Sequence, residues 1–138
     1  MKAINILVCL VFLSLGTIRA HAQSAPLHYL STVSTNCTLV QAGKVVLHDI
    51  VPINTTAVIY YLKLFNKATA PIAGTDVPVL SIPVPYGTSS SGGGAVIPST
   101  LGYLFGLGLG FCLVGGIADN DSSNAGSGVV INFGVSTN

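Results

Sequence analysis

Residues 101–116 read LGYLFGLGLGFCLVGG, and no other run limits the fold of this chain so tightly. Leu101, Tyr103, Phe105, Leu107, Leu109, Phe111 and Leu113 put large apolar groups at the odd positions, while Gly102, Gly106, Gly108 and Gly110 take most of the even ones. A repeat of two is that of an extended strand with one bulky face and one bare face. The bulky face belongs in a core, and the bare face lets another backbone or sheet come close. A membrane helix is the rival, because Leu101 to Ala118 carries no charge over 18 residues. Six glycines within that span would each cost a helix about 0.8–1 kcal/mol relative to alanine. The glycines alternate rather than spread around a helical axis, and no Lys or Arg flanks the run. Strand is therefore the reading. Residues 101–113 at about 3.3 Å each would span roughly 43 Å, so a bend or turn is expected near Gly106 to Gly110.

The start of the chain, MKAINILVCLVFLSLGTIRAHAQS, has Lys2, an apolar run from Ile4 to Leu15 and the sequence Ala20-His21-Ala22. Those are the parts of a secretory signal peptide over residues 1–22, leaving one domain over 23–138. An uncleaved anchor is the alternative, but the apolar run is shorter than the roughly 20 residues a span needs. Cys9 lacks the small residue beside it that lipidation would use. No membrane span is expected after cleavage. The location expected is secreted, periplasmic or on the cell surface.

Beyond residue 22, Lys44, Lys63 and Lys67 stand against Asp49, Asp76, Asp119 and Asp121, with no Arg or Glu. Nucleic acid is excluded as a partner by the lack of any clustered basic surface. So little charge does little to keep copies apart, and it suits a chain covered by neighbours. Cys37 and Cys112 remain. In an exported protein their default state is a disulfide, worth roughly 4 kcal/mol for a loop of about 75 residues, with two free buried thiols as the alternative.

Read in order, Gln23 to Pro26 is a flexible leader and His28–Val33 and Cys37–Gln41 are short strands, with a turn at Ala42-Gly43. Lys44–Ile53 follows as a strand in which Val45, Leu47, Asp49 and Val51 share a face, and Pro52 assigns it to an edge. After a turn at Asn54-Thr55-Thr56, Ala57–Phe65 is apolar on both faces, as a central strand is. Lys63 in its middle then needs a rim position or a partner. In VLSIPVP the residues Leu80, Ile82 and Val84 face inward, and Pro83 and Pro85 mark an edge strand. Tyr86–Thr100 contains TSSSGGG and is a flexible loop. Asp119–Gly128 is polar and irregular, and Val129, Ile131, Phe133 and Val135 close the chain as an alternating strand. Seven or eight short strands, turns every 8 to 12 residues and no helical period define an all-β chain. An antiparallel β-sandwich of jelly-roll or immunoglobulin-like type is expected.

Two segments, YYLKLFNKATAPIAGTDVPVLSIPVP (Tyr60 to Pro85) and GLGFCLVGGIADND (Gly108 to Asp121), resemble a pattern in small β-sandwich proteins of tailed bacteriophages and prophages. The resemblance covers Ala57 to Val135. It implies a virion-associated or surface structural role without enzymatic activity. The signal peptide and the cysteine pair depart from that pattern, and both point to an exported version of the domain.

Chemistry-bearing residues are few. Asp119, Asn120, Asp121 and Asn124 offer oxygens as a calcium loop does, but Asn124 and Val130 stand where such a loop needs glycine and glutamate. A turn held by Asx hydrogen bonds explains the same residues, so no metal or other cofactor is expected. His28, His48 and Asp49 are the only other acid–base candidates. His48 and Asp49, adjacent in a strand, are expected on opposite faces. A Ser-His-Asp set needs no sequence proximity, yet no G-x-S-x-G elbow is present and catalysis is not expected. Tyr60, Tyr61, Tyr86 and Tyr103 could line a sugar-binding surface. Tyr60 and Tyr103 are more simply core residues, leaving Tyr86, with Asp119 and Asp121, as a candidate binding surface. Sequons at Asn36, Asn54 and Asn120 matter only in a eukaryotic secretory pathway. Two functions follow: an exported structural or surface-assembly subunit, partnered by itself or another surface protein, or a secreted module binding a glycan or protein.

Overall fold

The computed structural model describes residues 25–137, so the expected signal peptide lies outside the described residues. Nine strands form two antiparallel sheets: β1 (Ala25–Leu30), β2 (Thr38–Ala42), β3 (Val45–Asn54), β4 (Tyr60–Asn66), β5 (Leu80–Val84), β6 (Gly93–Gly94), β7 (Ile97–Phe105), β8 (Gly108–Val114) and β9 (Val129–Thr137). The first sheet runs β1-β9-β3 and continues into β6 and β7, which both pair with β3; the second runs β2-β8-β4-β5. The β-sandwich is as the alternation predicts. The ninth strand is β6, which lies in the Tyr86–Thr100 stretch expected to be a flexible loop, and β7 also begins within that stretch, at Ile97.

Inward residues of both sheets make one core. Val45, Leu47, Ile50, Ile131, Phe133 and Val135 from the first sheet meet Leu62, Leu64, Val84, Leu109, Phe111 and Leu113 from the second. Each such side chain contributes about 1.5–3 kcal/mol by leaving water. Tyr29, Phe111 and Phe133 close one region of it, with ring centroids 5.1–5.8 Å apart.

The run at 101–116 breaks where a turn is expected, after Phe105, and its halves join different sheets. Phe105, Leu109, Phe111 and Leu113 are buried in the core, as the pattern requires, whereas Leu101, Tyr103 and Leu107 are exposed. Leu101, Tyr103 and Leu107 correct the expectation. Between the pairs Leu47↔Tyr103 and Asp49↔Pro98, four residues of β7 oppose one of β3, so Ser99–Gly102 bulge out. Gly102 supports that excursion with φ 78°, a conformation side-chain-bearing residues avoid. The bare face of β8 is closely covered: a methyl group at Gly110 would sit 2.8 Å from Pro71 Cδ.

Further corrections concern β3 and the N-terminal strand. β3 is central, paired with β9 along its length and with β6 and β7 on its other side. The Pro52 carbonyl accepts from Ala95 N–H at 3.4 Å, so the side lacking a donor faces the break between β6 and β7. A bulge between Leu47 and Asp49 switches the inward set from Val45 and Leu47 to Ile50, Pro52 and Asn54, leaving Val51 outside. The expected leader is partly strand, since β1 starts at Ala25 and Pro26 pairs with Gly134. β4 is interior and β5 is an edge, as read from their sequences.

Candidate functional site

The outward face of the second sheet is the most constructed surface of the molecule. Phe65, Cys112 and Val114 are buried there in a second, small cluster, with Cys37, Tyr61 and Ala73 packed against it. Cys37 and Cys112 are joined in a disulfide that spans 75 residues and ties the segment before β2 to β8. Two loops complete the cover. The 67–79 loop is held by the Lys67–Asp76 ion pair at 2.6 Å, and by Ile72 N–H donating to Asp76 Oδ2 at 2.7 Å. Those two bonds hold the Asp76 carboxyl below the usual carboxylate range, the lysine contact being the larger cause. In the 115–124 loop, Asp121 Oδ1 accepts from Ser123 Oγ at 2.6 Å and from the N–H groups of Ser123 and Gly116 at 3.1 Å. The Ser123 hydroxyl is the main cause of a lowered Asp121 pKa, which burial opposes.

Between these loops lies Lys63, 0% exposed. Its Nζ donates to the carbonyls of Ala118, of Asp119 at 3.3 Å and of Asp121 at 3.5 Å. The partner that the sequence demanded for this lysine is therefore backbone. Asp119 and Asp121, candidate binding residues, give their carbonyls to Lys63, and the Asp121 carboxylate serves the turn itself, as an Asx-type reading predicts. The two covering loops touch: a methyl at Gly74 would come within 3.1 Å of the Asn120 carbonyl oxygen.

Tyr86 is 68% exposed, as expected, and follows β5 on a different loop from the aspartates. Tyr60 is buried, but Tyr103 is not a core residue; it lines a groove of about 240 Å³ with Asn66, Val79, Leu80, Leu104 and Phe105. The groove lies on the flank where β5 and β7, edge strands of the two sheets, come together. Leu101, in the outward excursion of β7, is 94% exposed, and Leu107, in the turn that follows β7, is exposed as well. Sequence alternation missed this surface, because it assigned Leu101, Tyr103 and Leu107 to the interior.

The acid–base candidates lie elsewhere, on the outward face of the first sheet. The β3 bulge brings His48 and Asp49 to the same face rather than opposite ones. His48 Nε2 is 2.8 Å from Ser136 Oγ, while Asp49 rests on Gly134, where a methyl would meet its carboxylate at 2.5 Å. Among the described residues no hydrogen bond joins Asp49 to His48. His28 Nδ1 pairs separately with Asn132 Oδ1 at 2.8 Å. Of the sequon residues, Asn54 is buried and hydrogen-bonded within its own turn, and Asn120 is exposed.

Fold and covalent structure together define a disulfide-linked, all-β sandwich. Comparison with protein-family models, curated proteins and solved structures finds no match to this chain. No helix among the described residues is long and apolar enough to cross a membrane.

Proposed function

We propose that this protein is an exported, non-enzymatic structural subunit that assembles with further copies of itself at a surface. The observation that carries the reading is the flank between β5 and β7. There an apolar groove is lined by exposed Tyr103 and Leu104 of β7, and Leu101 of the same strand projects almost fully into water. Exposing large apolar side chains costs solubility in a chain with this little charge, and covering them with another subunit removes that cost. The disulfide is compatible with an extracellular location. The resemblance of Tyr60 to Pro85 and Gly108 to Asp121 to the pattern of phage β-sandwich proteins supports the same structural role.

Size exclusion with light scattering on the mature chain, wild type beside a Leu101→Asp/Leu104→Asp variant, tests the proposal. Oligomers that the double substitution disperses support it. A monomeric wild type moves the reading to a secreted binding module, for which exposed Tyr86 beside the glycine-serine loop is the observation and a glycan screen the next step.

A further inference from the structure

The Lys63 arrangement is more than a buried lysine finding a partner. Its position is on the outward face of the second sheet, where an ordinary sandwich leaves a lysine in water, but here the face is roofed and the neighbours Phe65 and Cys112 are buried. Instead a unit positive charge is drawn out of water and met by carbonyl oxygens of Ala118, Asp119 and Asp121, from one four-residue arc. The Lys67–Asp76 contact is the ion pair found among the described residues, and Lys63 is not in it. Convergent backbone carbonyls with a carboxylate close by are the donor set that hard cations select. The Asp121 carboxylate, however, is committed to N–H and hydroxyl donors of its own turn, which shapes the arc without neutralising the cation at contact distance.

We propose that residues 118–121 form a cation-binding turn whose ligand is internal: the Lys63 ammonium fills the position that a metal ion takes in a calcium-type loop. The chemistry recognised is a primary ammonium, which presents three N–H donors to three carbonyls. Ordering of the loop, and through Gly74 of the facing 67–79 loop, then depends on that ammonium and not on dissolved calcium. Trimming the side chain to Lys63→Ala removes a propylammonium-shaped piece and leaves the turn able to take up free n-propylammonium from solution.

The test is thermal unfolding of the disulfide-bonded protein, wild type and Lys63→Ala, against n-propylammonium chloride, tetramethylammonium chloride and calcium chloride. The variant is expected to melt lower and to regain on the order of 5 °C, saturably, with n-propylammonium only. Wild type is expected to respond to none of the three. Equal responses of wild type and variant, rescue by tetramethylammonium, no rescue, or a calcium-dependent rise in wild type would each overturn the proposal. Should Lys63→Ala fail to fold, reductive methylation of the native wild-type protein decides. Lys44 and Lys67 are expected to be modified at least tenfold faster than Lys63, and methylation of Lys63 at the rate of Lys44 contradicts the caged ammonium.

Discussion

Lys63 on β4 stands directly opposite Cys112 on β8, so the caged ammonium and the disulfide occupy neighbouring positions on one face of the second sheet. In a two-layer sandwich that face would meet water. Here it is a small interior of its own, roofed by the 67–79 and 115–124 loops, which is why β8 is buried at every residue.

Opening the disulfide removes a constraint on a 75-residue loop, worth about 4 kcal/mol in the chain-entropy model. A Cys37→Ala/Cys112→Ala variant is expected to lose about that much unfolding free energy in a urea titration, with the wild type in reductant moving the same way. Matching midpoints for oxidised and reduced protein would show that the cross-link does not carry the outer cluster.

Glycines of the central run differ sharply in what surrounds them. Gly110→Val drives a side chain into Pro71 and is expected to cost about 2–3 kcal/mol, while Gly106→Ala, with nothing within 4 Å, stays within about 0.5 kcal/mol of wild type. Denaturant titration of the pair measures the contrast. Equal costs would contradict the close approach of the loop to β8.

Asn54 is fully buried yet bonded on both ends of its amide: Nδ2 donates to Val58 O at 2.7 Å, and Oδ1 accepts from Thr56 N–H at 2.9 Å. Asn54→Ala strands these partners and is expected to destabilise by about 2 kcal/mol. Asn54→Asp keeps the acceptor, loses the donors and buries a charge, so its loss is expected to be at least as large. Urea midpoints of both variants provide the check.

Acid acts on the two covering loops through Asp76 and Asp121, whose folded-state pKa values both lie below the ordinary range. A depressed carboxylate contributes stability that is fully present above the unfolded-state value of about 3.9 and is lost as pH falls through the folded-state value. Unfolding followed from pH 6 to pH 2 is expected to show stability decreasing below about pH 4. Asp76→Asn and Asp121→Asn should flatten that decrease, and an unchanged slope in both variants would locate the titrating groups elsewhere.

Much of this architecture was legible because strand alternation depends on side chains alone. The core faces of β4, β5 and β9, the turn at Asn54-Thr55-Thr56 and the division of the 101–116 run all follow from it. What escaped depends on backbone. An extra residue at His48 inverts the faces of β3, so Ile50 rather than Val51 points inward, and nothing in KVVLHDIVPI marks the insertion. Gly134, which makes room for Asp49, was the available hint. Tyr103 and Leu101 look like core residues until the excursion of β7 and the end of the second sheet at β5 are known. The need of Lys63 for a partner was readable, but carbonyl oxygens have no sequence signature. The pairing of Cys37 with Cys112 was one of two open readings, and the fold brings their Cα atoms to 4.0 Å.

Self-association through the β5–β7 flank is the central claim, and sedimentation velocity of the mature, oxidised protein across a hundredfold range of concentration tests it most directly. The account predicts species heavier than the monomer that grow with concentration and disappear in Leu101→Asp/Leu104→Asp. A single monomeric boundary at every concentration would contradict it.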